Sequence, residues 1–456
     1  MPDSASGGAA FLGGEEIVND ARTLSYLEAG YGPPGLKVNG GCACPRIREL
    51  IECDSLPYVS PIADPAPWYD SSVPESADFV GFLTTEFEGL GSTFTREPID
   101  KITGGAVLGR LRAKPRTLTW RGFLFGRSDC AVRFGLSWLT AQLNGSGCVG
   151  CGGEDLDLMV CCPELTENSA SVCGGTAIVK PDICPPFSEP DAFRTLKKVG
   201  LLEGPVILSQ RKIGCGSSSC EGDSVIIEIE FSLLAGNPYL HGCPVCLCSE
   251  ASFPTSTDCL TDAIWVKVFD GGDTSACLPA ECPPALDCTR PVGDPCPPAA
   301  LPDIPAFQDS CFCDPIAPVQ FCCSIPADSF GQFFEGAPVI EIYSGSAPMR
   351  ATTIRFFDNP LGIDCCDTAS DPCLNCDSLQ IRLIPAFSTM TIDGTTRQVT
   401  VQCPGVVAPI LADHLTVTPF AWPLLQCIDS CICIETEGIA VASDATVTVL
   451  VTPREM

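Results

Sequence analysis

VIIEIEFSLLAG, residues 225–236, alternates apolar and polar residues more regularly than its neighbours. Ile227, Ile229, Phe231 and Leu233 fall on one side of an extended chain, and Glu228, Glu230 and Ser232 on the other. A period of two with one apolar and one polar side marks a strand of an antiparallel sheet, buried on one face and wet on the other. Upstream, RTLKKVGLLEGPVILSQRKIG (194–214) reads as strand, turn at Glu203-Gly204-Pro205, strand. DFVGFLTTEFEGLGSTFT (78–95) and TLTWRGFLFG (117–126) are rich in Phe, Thr and Trp, which suit a pleated, half-buried surface. Between these strands the period changes. In CAVRFGLSWLTAQLNG (130–145), Val132, Leu136, Leu139 and Leu143 share one helical face, and Asn144-Gly145 is a stop signal. One helix near 131–144 packed on β-sheet is the expected local arrangement.

Further along, residues 271–305 hold nine prolines and four cysteines with no periodicity, as an extended connector would. Short strands return in PVIEIYSG (338–345), ATTIRFF (351–357), SLQIRLIP (378–385), CICIETEG (431–438) and ATVTVLVT (445–452). TMTIDGTTRQVTV (389–401) is a hairpin with its turn at Asp393-Gly394. The expected architecture is mainly β. A β-sandwich or split-barrel domain with one packed α-helix covers 1–242, a Cys/Pro-rich connector 243–310, and a C-terminal β-sandwich 311–456.

Composition narrows the function. The 456 residues carry 26 Lys plus Arg against 56 Asp plus Glu, a net charge of −30. Specific nucleic-acid binding through phosphate contacts, and attraction to an anionic membrane, both need the opposite balance. No run of 18 apolar residues is present, so membrane insertion is not expected. After Lys267 there is no lysine, and six arginines face 23 acids. The 32 cysteines approach the density of disulfide scaffolds and point to an oxidising destination. The start, MPDSASGGAAFLGGEEIVND, does not read as a secretory signal. A virus particle, assembled inside a cell and working outside it, fits both facts; a secreted protein fits the cysteines.

The order of these segments resembles the distal tail proteins of long-tailed bacteriophages, and the cysteine-rich minor tail proteins of phages infecting actinobacteria in particular. The resemblance is carried by TLTWRGFLFGRSDCAVRFGLSWLTAQLNG with its Trp138-Leu139 pair, and by EIEFSLLAGNPYLHG with its turn Ala235-Gly236-Asn237-Pro238-Tyr239. PVIEIYSGSAPMRATTIRFFDNP, CDSLQIRLIPAFSTMTIDGTTRQVTV and PFAWPLLQCIDSCICIE then follow in order, so it spans roughly residues 80–450. It implies a structural virion protein of the tail. Such a protein forms a ring, usually a hexamer, that joins the tail tube protein to tip or fibre proteins and lets DNA pass. An acidic lining would keep DNA sliding. It implies no catalysis and no cofactor.

Two other classes compete with this reading. One is a surface or secreted disulfide-rich adhesin whose sandwich binds carbohydrate. The other is a tail-associated cell-wall hydrolase, although no Gly-x-Ser-x-Gly or His-Glu-x-x-His string occurs. Cys148, Cys151, Cys161 and Cys162 place four sulfurs close enough for a structural zinc site, or for two disulfides. The redox argument favours disulfides. Cys365, Cys366, Cys373 and Cys376 repeat the layout as structural cysteines. Glu154, Asp155 and Asp157, with Asp270 and Asp273, read as solvated turns. Trp422, with prolines nearby on both sides, is a candidate ligand contact, whereas Trp138 reads as packing.

Overall fold

A computed structural model describes residues 7–33, 36, 43–44, 47–52, 54, 56–91, 94–100, 106–108, 112–145, 153–160, 192–213, 224–252, 266–267, 311–312, 319–327, 329, 334–359, 362, 365, 375–406, 408–412, 422–425, 428–436, 441–442 and 444–455. The chain divides into two compact units, Met1–Pro244 with Thr452–Met456, and Val245–Val451. The fold is mainly β.

In the first unit, β1 (Ala9–Leu12) and β2 (Glu15–Asn19) form a hairpin that runs into α1 (Asp20–Glu28). Asn19 caps this helix by accepting the Arg22 N–H at 3.0 Å. The short helices α2 (Ile47–Glu52) and α3 (Pro74–Asp78) precede β3 (Phe79–Glu88). Next, β4 (Phe94–Thr95), β5 (Pro98–Asp100), β6 (Ala106–Leu108) and β7 (Arg112–Ala113) make two small ribbons, β4 with β7 and β5 with β6. Then come β8 (Arg116–Gly126), α4 (Asp129–Leu143), β9 (Glu154–Met159), β10 (Phe193–Ile213), β11 (Ser224–Ala235) and β12 (Leu240–His241). The strands are antiparallel in the order β3-β8-β11-β10, and the N-terminal part of β10 continues the sheet through β9, β1 and β2.

The alternation of residues 225–236 is realised in β11. Ile227, Ile229, Phe231 and Leu233 are buried beside Leu118, Trp120 and Leu124 of β8. Trp120 stacks on Phe231 with ring centroids 5.5 Å apart and donates its indole N–H to the Gly7 carbonyl at 3.0 Å. Ser128 caps α4 by accepting the Ala131 N–H, and Val132, Leu139 and Leu143 are buried on the core. Gly135 lets α4 approach β3 closely, because a Cβ there would meet the Phe79 ring at 2.1 Å. Trp138 packs edge-on against Trp68, centroids 5.3 Å apart.

Two expectations are corrected here. Glu203-Gly204-Pro205 is not a turn, and β10 is one strand of 21 residues paired with β11 from Val199↔Ala235 to Ile213↔Ser224. Its register shifts between Leu201 and Glu203 and again between Glu203 and Val206, so the Gly-Pro pair is accommodated as bulges. Gly204 has φ +92°, and a Cβ there would sit 2.6 Å from the Glu230 carbonyl oxygen. Glu154, Asp155 and Asp157 do not form a turn either: they lie on β9, where Asp157 accepts from the Thr195 hydroxyl and Asp155 pairs with Lys197. Asp270, Asp273 and the 271–305 connector lie outside the described residues.

The second unit holds β13 (Val245–Ser252), a small ribbon of β14 (Val266–Lys267) with β15 (Cys311–Phe312), β16 (Val319–Ile325), β17 (Glu335–Tyr343), β18 (Met349–Asp358), β19 (Asn375–Ile384), β20 (Thr389–Asp393), β21 (Gln398–Gln402), β22 (Ile410–Leu411), β23 (Ser430–Thr436) and β24 (Thr446–Glu455). One sheet runs β16-β23-β18-β19. The other runs β24-β17-β20-β21-β22, with β13 also on β24. Their inward residues share one core that includes Ile340, Ile342, Ile354, Phe356, Ile381, Ile432, Ile434, Val447 and Val449. β13 falls inside the segment read as connector. The last residues of β24 belong to the first unit, where Leu240 pairs with Glu455 and His241 with Arg454.

Candidate assembly surface

Among the described residues of the first unit, β10 forms an open edge. β9 and β12 accompany it only as far as Val199, and from Leu201 to Ile213 its described partner is β11 alone. An edge strand offers unpaired N–H and C=O groups to whatever can add a strand. On this one Leu202 (52%), Val206 (44%), Ile207 (49%) and Leu208 (43%) are exposed. Exposed long aliphatic side chains on an open edge are the arrangement that isolated proteins avoid.

The sheet's outer face beside that edge is polar and acidic. Arg121 of β8 donates to Glu228 of β11 through Nε at 2.9 Å and Nη2 at 2.6 Å, and Ser209 of β10 donates to the same carboxylate at 2.8 Å. The Ser209 hydroxyl first, and then Arg121, hold the Glu228 carboxyl below its usual range. Glu86 and Glu230 also act on Arg121, whose pairing with Glu228 keeps it firmly charged. Thr119 and Ser232 continue this ladder at 2.9 Å.

Beneath it, Arg116 is buried and binds backbone. Its Nε donates to the Pro238 carbonyl at 2.8 Å and its Nη1 to the Leu90 carbonyl, tying together the segments after β3 and β11. Burial lowers its pKa.

A second feature is the loop 54–66. Arg48 of α2 pairs with Glu52 at 2.9 Å, Asp54 at 2.9 Å and Asp64 at 3.0 Å, and its Nη1 donates to the Leu56 and Pro57 carbonyls at 3.2 and 3.1 Å. Arg22 of α1 pairs with Glu16 at 3.0 Å and Glu52 at 2.8 Å. Both guanidinium groups lie over the buried Tyr58 ring, at 4.2 and 4.8 Å from its centroid. Burial raises the Tyr58 phenol, whose hydroxyl donates to Glu52 at 3.0 Å. The loop is thereby fixed, with Leu56, Val59 and Ile62 exposed on it.

The residues singled out in the sequence fall elsewhere. Cys148, Cys151, Cys161, Cys162, Cys366 and Cys373 lie outside the described residues. Cys365 is bonded to Cys431, 66 residues away, rather than to a member of its own group. Cys376 is exposed at the start of β19, where partial desolvation and Asp358 push its thiol up. Trp422 is partly buried against the core of the second unit. Two further bridges, Cys248–Cys323 and Cys322–Cys433, join described pairs, and Cys44 and Cys243 are disulfide-bonded too. Strand alternation sorts the adjacent pair on β16: Cys323 reaches β13 on the core side, and Cys322 pairs with Cys433, which it faces in the β16–β23 register. Cys431 and Cys433, two residues apart, lie on one face of β23.

No family model matches the chain, and no curated protein does. Among solved structures, the SPP1 Dit protein, described as a paradigm of the hub adsorption apparatus in phages infecting Gram-positive hosts, is 9% identical with a TM-score of 0.37, over 82% of this chain and 94% of that one. The phage P2 baseplate in its activated conformation is 9% identical with a TM-score of 0.32, over 85% of this chain and 93% of that one. The tube-terminating cap of the anti-feeding prophage is 12% identical with a TM-score of 0.17, over 33% of this chain and 75% of that one.

Proposed function

We propose that the protein is a structural component of a phage tail tip: a self-associating ring, hexameric as in the family its sequence resembles, that joins the tail tube to tip or fibre proteins. It catalyses no reaction and works in the virion tail, outside the cell. The observation that carries this reading is the open apolar edge of β10, which a neighbouring copy would cover. The ordered series of segments shared with distal tail proteins supports it from the sequence side. The acidic face around Glu86, Glu228 and Glu230 is the side suited to a DNA passage, because it repels phosphate. Disulfides suit a part that ends up outside the cell.

The test is the native mass of the purified chain, with and without reductant, followed by electron images of the particles. Rings of one fixed stoichiometry are the expected result. A stable single copy that binds glycans would replace this reading with the adhesin, and turnover of peptidoglycan would replace it with the hydrolase.

A further inference from the structure

A ring built from one kind of chain needs two different surfaces on each copy, because its contacts are head-to-tail. Resting on that ring reading, the geometry points to the two surfaces: the loop 56–62 of one copy seats on the β10 edge of a second copy. Among the described residues of the first unit, the exposed large apolar side chains fall in just these two stretches, Leu56, Val59 and Ile62 in one and Leu202, Val206, Ile207 and Leu208 in the other. Their charges are opposite as well. Residues 47–78 contain Glu49, Glu52, Asp54, Asp64, Asp70, Glu75 and Asp78 against Arg48 alone. The open stretch of β10, from Leu201 to Ile213, contains Arg211 and Lys212 against Glu203 alone, in a chain where acids outnumber bases 56 to 26. A basic strand is out of character for this composition, and an acidic surface is its natural counterpart.

The loop is also prepared for docking. Burying Arg22 against Glu16, with each only 5% and 7% exposed, is a poor way to gain stability. What the network achieves is a loop held in one conformation from Leu56 to Asp64, so that little ordering remains to be done on contact. Each aliphatic group on the loop then meets the partner already in place.

The experiment uses the full chain and reads native mass. The loop variant carries Val59→Asp with Ile62→Asp, and the edge variant carries Val206→Asp with Leu208→Asp. Each alone should lose assembly by at least roughly tenfold. Mixed in equal amounts they should form a dimer and stop there, since one intact loop and one intact edge survive between them. Arg48→Met, which keeps all seven apolar side chains but frees the loop, should also weaken assembly. Circular dichroism checks folding, and Ile62→Ser and Leu208→Ser replace any Asp variant that loses its sheet signal. If the loop variant assembles like wild type while the edge variant does not, or if the mixture stays monomeric, the loop is not the partner of β10 and the ring reading survives. If wild-type protein is itself monomeric, the ring reading falls and this pairing falls with it.

Discussion

Asp20 is a carboxylic acid enclosed by protein at the first turn of α1, accepting the Thr84 N–H at 2.8 Å. Burial pushes its pKa up to about 8 from an ordinary 3.8. A raised acid pKa in the folded state means that the native form prefers the proton. Stability from this group is therefore greatest at low pH, and it falls as pH rises from about 4 through 8. Asp20→Asn keeps the acceptor and removes the charge. It should raise the melting temperature at pH 8.5, by a stabilisation of roughly 2–4 kcal/mol, and do much less at pH 5. Equal shifts at both pH values in thermal melts would sink this account. The same residues explain why α1 was illegible in the sequence. Its buried side includes Asp20, Arg22 and Thr23, and helices are recognised by apolar residues at helical spacing. Leu24, Tyr26 and Leu27 share that buried side with them, and the charged residues break up the apolar pattern.

At the scale of elements, α4 was readable because Val132, Leu139 and Leu143 do form its buried face. Gly135, in the middle of that helix, costs about 1 kcal/mol of helix propensity relative to alanine. Gly135→Ala should nonetheless destabilise, because overpacking against the Phe79 ring costs roughly 1–3 kcal/mol. Urea unfolding decides the sign: a variant more stable than wild type would mean that α4 can lift off β3 at little cost. β11 was readable from strict alternation. β10 was misread because Gly204-Pro205 is the local signature of a turn, and its neighbour's pairing across the bulges is a long-range fact. Placing the charged loop 54–66 needed the fold too, since the ion pairs around it draw on Glu16 of β2, Arg22 of α1 and Arg48 and Glu52 of α2.

For the whole molecule, the two-unit division gives a calorimetric expectation. The three bridges between described cysteines all lie in the second unit, closing loops of 75, 111 and 66 residues. In the chain-entropy model each contributes about 4 kcal/mol, less where the loops overlap. Cys365→Ser with Cys431→Ser should lower one of two unfolding transitions by several degrees and leave the other in place; a uniform shift of both would show that the units melt as one. Such pairings were beyond the sequence because spacing along the chain does not reveal which sulfurs meet in space, and Cys365 had Cys366, Cys373 and Cys376 far nearer than Cys431. The Cys322–Cys433 link has a mechanical meaning as well. The chain from Cys322 to Cys433, a separation of 111 residues, would measure about 370–400 Å drawn straight. While that covalent tie holds, none of this length can pay out under tension, so a tug on the second unit is passed on across a short cross-link and is not absorbed as slack.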